Sequence, residues 1–161
     1  MERRLRWGAY CGLVGGALRV VSTFIPYVPG SAALEALYAV IDLGMLFGLI
    51  AVGLAASDAL GRIGFAFWAI AIAALASIVG PDPVAFGVDF YRLGAAVFVL
   101  ALGAMAAVLL ARRTQRLPAA LWLASAAVGL LSGVAGPLAF ALAGITLGAG
   151  FVAAGLALRR L

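Results

Sequence analysis

The chain has no lysine, no histidine and no asparagine, and its single cysteine is Cys11. Each absence removes a chemistry. Without lysine there is no Schiff base to retinal or to a pyridoxal cofactor. Without histidine the usual axial ligand of haem and the usual zinc ligand are missing. One cysteine makes no intrachain disulfide, no CxxC redox pair and no iron–sulfur cluster. Asn-linked glycosylation is impossible. No metal and no cofactor is therefore expected. Charge is scarce as well: of 161 residues, 11% are charged and 66% hydrophobic, against about 25% and about 45–50% in an ordinary soluble domain. With 21 glycines and a mean hydropathy of +1.21, the composition excludes the soluble globular and disordered classes. The fold class expected is an all-α, polytopic integral membrane protein.

A spanning helix needs about 20 mostly apolar residues. Such runs fall near 8–26, 33–56, 62–80, 90–111, 119–135 and 137–158, which predicts a single domain made of a six-transmembrane-helix bundle. All six prolines mark junctions: Pro26 and Pro29 follow the first run, Pro81 and Pro83 the third, and Pro118 and Pro137 open the fifth and sixth. At a first helical turn a missing N–H costs nothing. Arg3, Arg4 and Arg6 before an apolar run, with Ser31-Ala32-Ala33 after it, have the outline of a signal peptide. Arg19 interrupts that run and the stretch is too long, so a retained helix is expected.

Arginine sets the orientation. Arg3, Arg4, Arg6, Arg62, Arg112, Arg113, Arg116, Arg159 and Arg160 all fall on one side of the predicted bundle, where with Glu2 and Asp58 the net charge is +7. The other half holds Arg19, Arg92, Glu35, Asp42, Asp82 and Asp89, net −2. The positive-inside rule then predicts both termini cytoplasmic. An Arg-only basic complement points to a high-GC bacterium, and so to a bacterial cytoplasmic (inner) membrane. These arginines meet anionic lipid headgroups at about 1 kcal/mol each; Arg112, Arg113 and Arg116 are the densest set. Membrane lipids are thus the expected partners, and no nucleic acid is. Trp7 and Tyr10 at the inner boundary, with Trp68 and Trp122 a little deeper, and Phe24, Tyr27, Phe90 and Tyr91 at the outer one form the expected aromatic belt.

Arg4, Arg62 and Arg116 are each followed six residues later by Tyr10, Trp68 and Trp122, and each helix then reaches a proline at 26, 81 or 137. Generic boundary anchors explain this spacing more simply than three tandem hairpins. In lipid, helices associate where small residues let backbones approach. Gly8, Gly12 and Gly16, then Gly44 and Gly48, Gly129 and Gly133, and Gly144 and Gly148 are spaced for packing faces. Packing within the chain is the expected use, with a homo-oligomer or a membrane-complex partner as the other.

The residues that stand out are charges inside the spans. Asp42 is predicted about 14 Å into span two and Arg19 about 10 Å from the outer end of span one. Glu35, Tyr38 and Asp42 share a helix face; Arg19, Ser22 and Thr23 are grouped likewise; Asp89 and Arg92 are one turn apart. A central Arg or Asp costs about 2.5–3.5 kcal/mol, and each Leu, Ile, Val or Phe returns about 0.3–0.6. Arg19 therefore nearly cancels the seven such residues of span one. Pairing of Arg19 with Asp42, and of Arg92 with Glu35 or Asp89, is expected.

Two function classes follow. An outward-facing vestibule of Arg19, Glu35, Tyr38, Asp42, Arg92, Ser22, Thr23 and Asp89 is suited to binding or transporting a small polar or amphipathic solute or a proton. Alternatively the charges are structural salt bridges in an accessory or assembly subunit of a larger membrane complex. Catalysis is not expected. Ser132 has no His or Lys to activate it, and Asp82 with Asp89 is a weak cation site.

Overall fold

The computed structural model describes residues 2–26, 28, 30–79, 84–85 and 88–160, without the side chains of Glu2, Arg4, Val84, Ala85, Gly133 and Val134. Five helices account for most of it: α1 (Glu2–Ser22), α2 (Ala32–Ala55), α3 (Ser57–Ser77), α4 (Phe90–Ala111) and α5 (Arg116–Leu158). The last is broken at Gly136, so six helical segments are present. Two two-residue strands, β1 (Val84–Ala85) and β2 (Val88–Asp89), pair antiparallel between α3 and α4, with Val84 opposite Asp89. This ribbon lies between the third and fourth predicted runs, beyond the junction that Pro81 and Pro83 mark.

Four segments are long and apolar enough to cross a membrane: Ala32–Ala55, Ser57–Ser77, Phe90–Ala111 and Ala135–Leu158. That fits a multi-pass membrane protein. Arg116–Ser132 is apolar but shorter. α1 is not in the group, because it starts at Glu2, takes Arg3 and Arg6 into its first turns, and carries Arg19 in its last. The run at 8–26 is thus shifted toward the N-terminus. Its end at Ser22 has a local cause, since the hydroxyls of Ser22 and Thr23 both donate to the Arg19 carbonyl, at 2.9 and 3.1 Å, satisfying a group the helix leaves open.

Two of the chain's breaks are set by glycine. Gly61 (φ 58°, ψ −167°) separates a short first turn of α3 from the remainder, and Gly136 (φ 73°, ψ −160°) divides α5 into two arms. This region of backbone space is essentially reserved for glycine. Pro137 follows immediately and opens the second arm in a position that suits its fixed φ. A Cβ on Gly136 would meet nothing within 4 Å, so substitution there tests backbone strain alone. Gly136→Ala is expected to cost about 1–3 kcal/mol. At Gly129, where a Cβ would rest in ordinary contact 3.8 Å from Val99, alanine should be near neutral. Thermal midpoints of the two detergent-solubilised variants make the comparison; a Gly136→Ala midpoint equal to that of wild type would contradict the strain argument.

The α4–α5 connection is tighter. The Arg113 and Thr114 amides donate to the Leu110 and Leu109 carbonyls at 3.0 and 2.9 Å, and Arg113 has φ 57°. This is a Schellman closure with arginine in the left-handed position usually held by glycine.

Each segment packs antiparallel on its neighbours in the chain. Gly8 lies against Ala51 and Gly15 against Gly44 across α1 and α2; Gly94 meets Ile78, and Gly64 meets Val108, across α3 and α4; Gly103 meets Ala126 across α4 and the first arm of α5. The two arms are joined by Trp122 on Gly150 and by the Ser125 hydroxyl, which donates to the Ala143 carbonyl at 2.8 Å. The second arm then returns to α1, where Gly16 meets Gly148 and Gly155 meets Ala9. The result is a closed ring of six segments around a filled centre of Ile41, Leu49, Leu75, Met105, Trp122 and Phe151. Both described ends of the chain lie at one end of the ring, where the Arg159 guanidinium sits 5.0 Å above the Tyr10 ring.

The aromatic belt is only partly present. Trp7 (65% exposed), Tyr10, Phe24 and Phe90 are exposed. Trp122 is not a boundary residue: it is 0% exposed and packs 5.1 Å from Phe151, centroid to centroid. Trp68 is half-buried, and its indole N–H donates to the Leu49 carbonyl of α2 at 2.9 Å. Tyr27 lies outside the described residues.

Candidate functional site

The intramembrane polar residues divide into two groups. Close approach of α1 and α2, anchored at Gly12–Gly48 and Gly15–Gly44, brings Arg19 to the level of Asp42. Asp42 is 6% exposed on the inward face of α2, beside Ile41 and Met45. Arg19 is half-buried, and its guanidinium also lies close to Gly144 of the second α5 arm, where Thr23 is a further neighbour. Arg19 and Asp42 thus stand on facing helices across the α1–α2 contact. The two nevertheless make no ion pair within 4.0 Å; among the described residues the pair that meets this distance is Arg92–Asp89. The direct Arg19–Asp42 bridge expected from the sequence is therefore not formed. The reason is geometric: the Arg19 guanidinium reaches to the second α5 arm, 3.4 Å from where a Cβ on Gly144 would stand.

Ser22 is buried and Thr23 half-buried, and their hydroxyl hydrogens are committed to the Arg19 carbonyl. Tyr38 is half-buried on the same face of α2 as Asp42. Glu35 is exposed in the first turn of α2, where a carboxylate is favoured by the helix dipole.

Arg92 does not join this group. Its side chain is 87% exposed, and its Nε lies 2.9 Å from Asp89 Oδ2. Asp89 is the N-cap of α4 and accepts the Arg92 amide at 2.9 Å. The choice between Glu35 and Asp89 thus falls to Asp89, as a local i,i+3 pair of the kind that stabilises by a few tenths of a kcal/mol. Asp82 lies outside the described residues. No group of three metal-ligating side chains occurs among the described residues. Ser132 donates to the Gly129 carbonyl at 2.6 Å, which leaves its hydroxyl engaged with its own helix.

The glycines show where the sequence pattern misled. Gly8 and Gly12 face α2, but Gly16 faces Gly148 and Phe151 of the second α5 arm. Gly15, absent from the i+4 series, continues the α2 contact. Gly44 and Gly48 receive α1, and Gly144 lies beside Arg19 and Thr23. Gly129 has only loose neighbours, and the surroundings of Gly133 are outside the described residues. Gly53 and Gly150 are seats for Trp68 and Trp122. The available signal for these was a large aromatic opposite a glycine in the adjoining helix. Arg112, Arg113 and Arg116 are exposed around the α4–α5 turn, at the same end of the ring as Arg6, Arg62, Arg159 and Arg160.

Outside the ring, two open grooves run between helices. One, of about 670 Å³, lies over the second α5 arm; the other, of about 490 Å³, lies between α3 and α4 beside Ser77 and Gly94. Neither touches Asp42. Comparison with protein-family models, with curated proteins and with solved structures gives no match to this chain.

Proposed function

We propose that the chain is a six-span protein of a bacterial cytoplasmic membrane, with both termini cytoplasmic, that binds a small polar or amphipathic solute, or a proton, between Arg19 and Asp42. The observation that carries the reading is a buried acid and a half-buried guanidinium on the closely packed helices α1 and α2 with no ion pair between them within 4.0 Å. Charges withdrawn from water cost several kcal/mol each unless they are paired and hydrogen-bonded. A polar group held between the two would supply what a direct bridge does not. The proposed orientation is supported by the common end shared by the arginine-rich turns and both described chain ends, together with the positive-inside rule.

The alternative is a non-catalytic accessory subunit that docks through its glycine faces. It has less to draw on, because Gly8, Gly12, Gly15, Gly16, Gly44, Gly48 and Gly148 are in contact within the chain. Native mass spectrometry of the chain released from lipid nanodiscs separates the readings. A bound small molecule is expected in wild type and is expected to be lost, about tenfold or more, in Asp42→Asn and Arg19→Gln, since a hydrogen bond to a charged group is worth about 1.5–3 kcal/mol. A co-purifying protein in place of a small molecule, or a bound non-lipid solute retained by both variants, would sink the proposal; a phospholipid retained by both bears on the groove over the second α5 arm and not on this site.

A further inference from the structure

The outer face of the second α5 arm is apolar and mixes Ala149, Ala153 and Ala157 with Val152 and Leu156. Leu147, Phe151, Ala154 and Leu158 turn to the core. Flanked by Val20 of α1 and Leu121 of the first arm, this recessed face becomes the floor of the groove of about 670 Å³. Among the described residues, one charged side chain lines it: Arg160, at its end. From Ala149 to Arg160 the floor rises about 16 Å at 1.5 Å per residue, close to half of a hydrocarbon core of about 30 Å. The groove thus has one leaflet's depth, apolar walls and a cationic mouth. Arg159, next in the chain, is turned away onto Tyr10, which leaves Arg160 at the mouth.

We infer that this groove holds an acyl chain of one anionic phospholipid, with the lipid phosphate at Arg160. The inference rests on the membrane embedding proposed above and not on the Arg19–Asp42 couple. Charge complementarity selects the headgroup, and the match of groove depth to a single leaflet selects a lipid over a crossing helix. A partner helix would extend through both leaflets, beyond the groove, and would bury the arginine against apolar side chains.

The test uses the whole chain in nanodiscs of equal phosphatidylglycerol and phosphatidylcholine with matched acyl chains, and native mass spectrometry of the lipid retained on release. Wild type is expected to keep phosphatidylglycerol over phosphatidylcholine by about fivefold, the preference given by one arginine near an anionic surface. Arg160→Gln should bring the ratio near unity. Ala157→Phe, which fills the groove from an exposed position, should lose both lipids. Arg62→Gln, at the same end of the ring but away from the groove, should keep the wild-type ratio. Size-exclusion profiles identical to wild type establish that the variants fold. Equal retention of the two lipids by wild type, equal loss of preference in Arg62→Gln and Arg160→Gln, or undiminished retention in Ala157→Phe would each overturn the inference, as would a dimer mass with no lipid. A chain that stays soluble without detergent would instead overturn the embedding itself.

Discussion

Gly48→Leu is expected to release α1 from the bundle. A Cβ at position 48 would lie 2.5 Å from the Gly12 Cα, and a Cβ at position 12 would lie 2.9 Å from the Gly48 Cα. Both obstacles are backbone, so neither helix can yield by a change of rotamer. Inserting atoms into a close-packed contact typically costs about 1–3 kcal/mol, and more where relief requires moving backbone. Here the whole helix must shift, and its contact with the second α5 arm, at Gly16–Gly148 and Gly155–Ala9, is left as its remaining hold, since Arg19 offsets most of its apolar gain. We expect a loss of about 3 kcal/mol or more. Cys11 offers a direct readout, since it is the only thiol, is half-buried, and its carbonyl lies beside Gly44. In mild detergent, maleimide should label Cys11 faster in Gly48→Leu than in wild type, and the thermal midpoint should fall. Unchanged labelling together with an unchanged midpoint would remove the argument for backbone contact.

The second large effect is expected at Trp122, which is wholly buried between Gly150 and Phe151. Truncation of such a residue to alanine leaves a cavity and costs about 3–5 kcal/mol. For a chain of this length that corresponds to a drop of about 10 °C in Tm. Trp122→Phe separates packing from hydrogen bonding. The indole N–H of Trp122 has no hydrogen-bond partner among the described residues, so phenylalanine forfeits volume but no bond. It should cost well under half as much as alanine. A Phe variant as unstable as the Ala variant would show that the N–H, and not the ring, holds the site.

Hydropathy and proline placement made the element boundaries legible. Phe90–Ala111 coincides with the fourth predicted run, and the division between the fifth and sixth lies at Gly136-Pro137, where a glycine-only backbone meets a residue that begins helices. Helix facing was less legible. Each i+4 step turns an α-helix about 40° past a full revolution, so from Gly8 to Gly16 the series has rotated about 80° and reaches a different neighbour. Gly15, seven residues from Gly8, is displaced by only about 20° and stays with α2. The small-residue pattern was visible, but the partner of each glycine depends on how the ring closes, a property of all six segments together. The same applies to Trp68 and Trp122, which have equivalent spacing in sequence and different burial in the fold.

The candidate site followed the same division. The local pair of Asp89 and Arg92, one helical turn apart, was readable from its spacing and its N-cap position. Proximity of Arg19 to Asp42 was also readable from the short first hairpin. Its failure to close into a bridge was not, because the position of the guanidinium depends on Gly144, more than a hundred residues later.

Ring closure also orders the protein's birth. As the chain emerges from the ribosome, α1 meets α2 at once through Gly8, Gly12 and Gly15. Its other face, at Gly16, has no counterpart until Gly148 and Gly155 have been synthesised. The least apolar of these helices is thus made before the arm that completes its packing, and the second arm of α5 acts as the clasp of the ring.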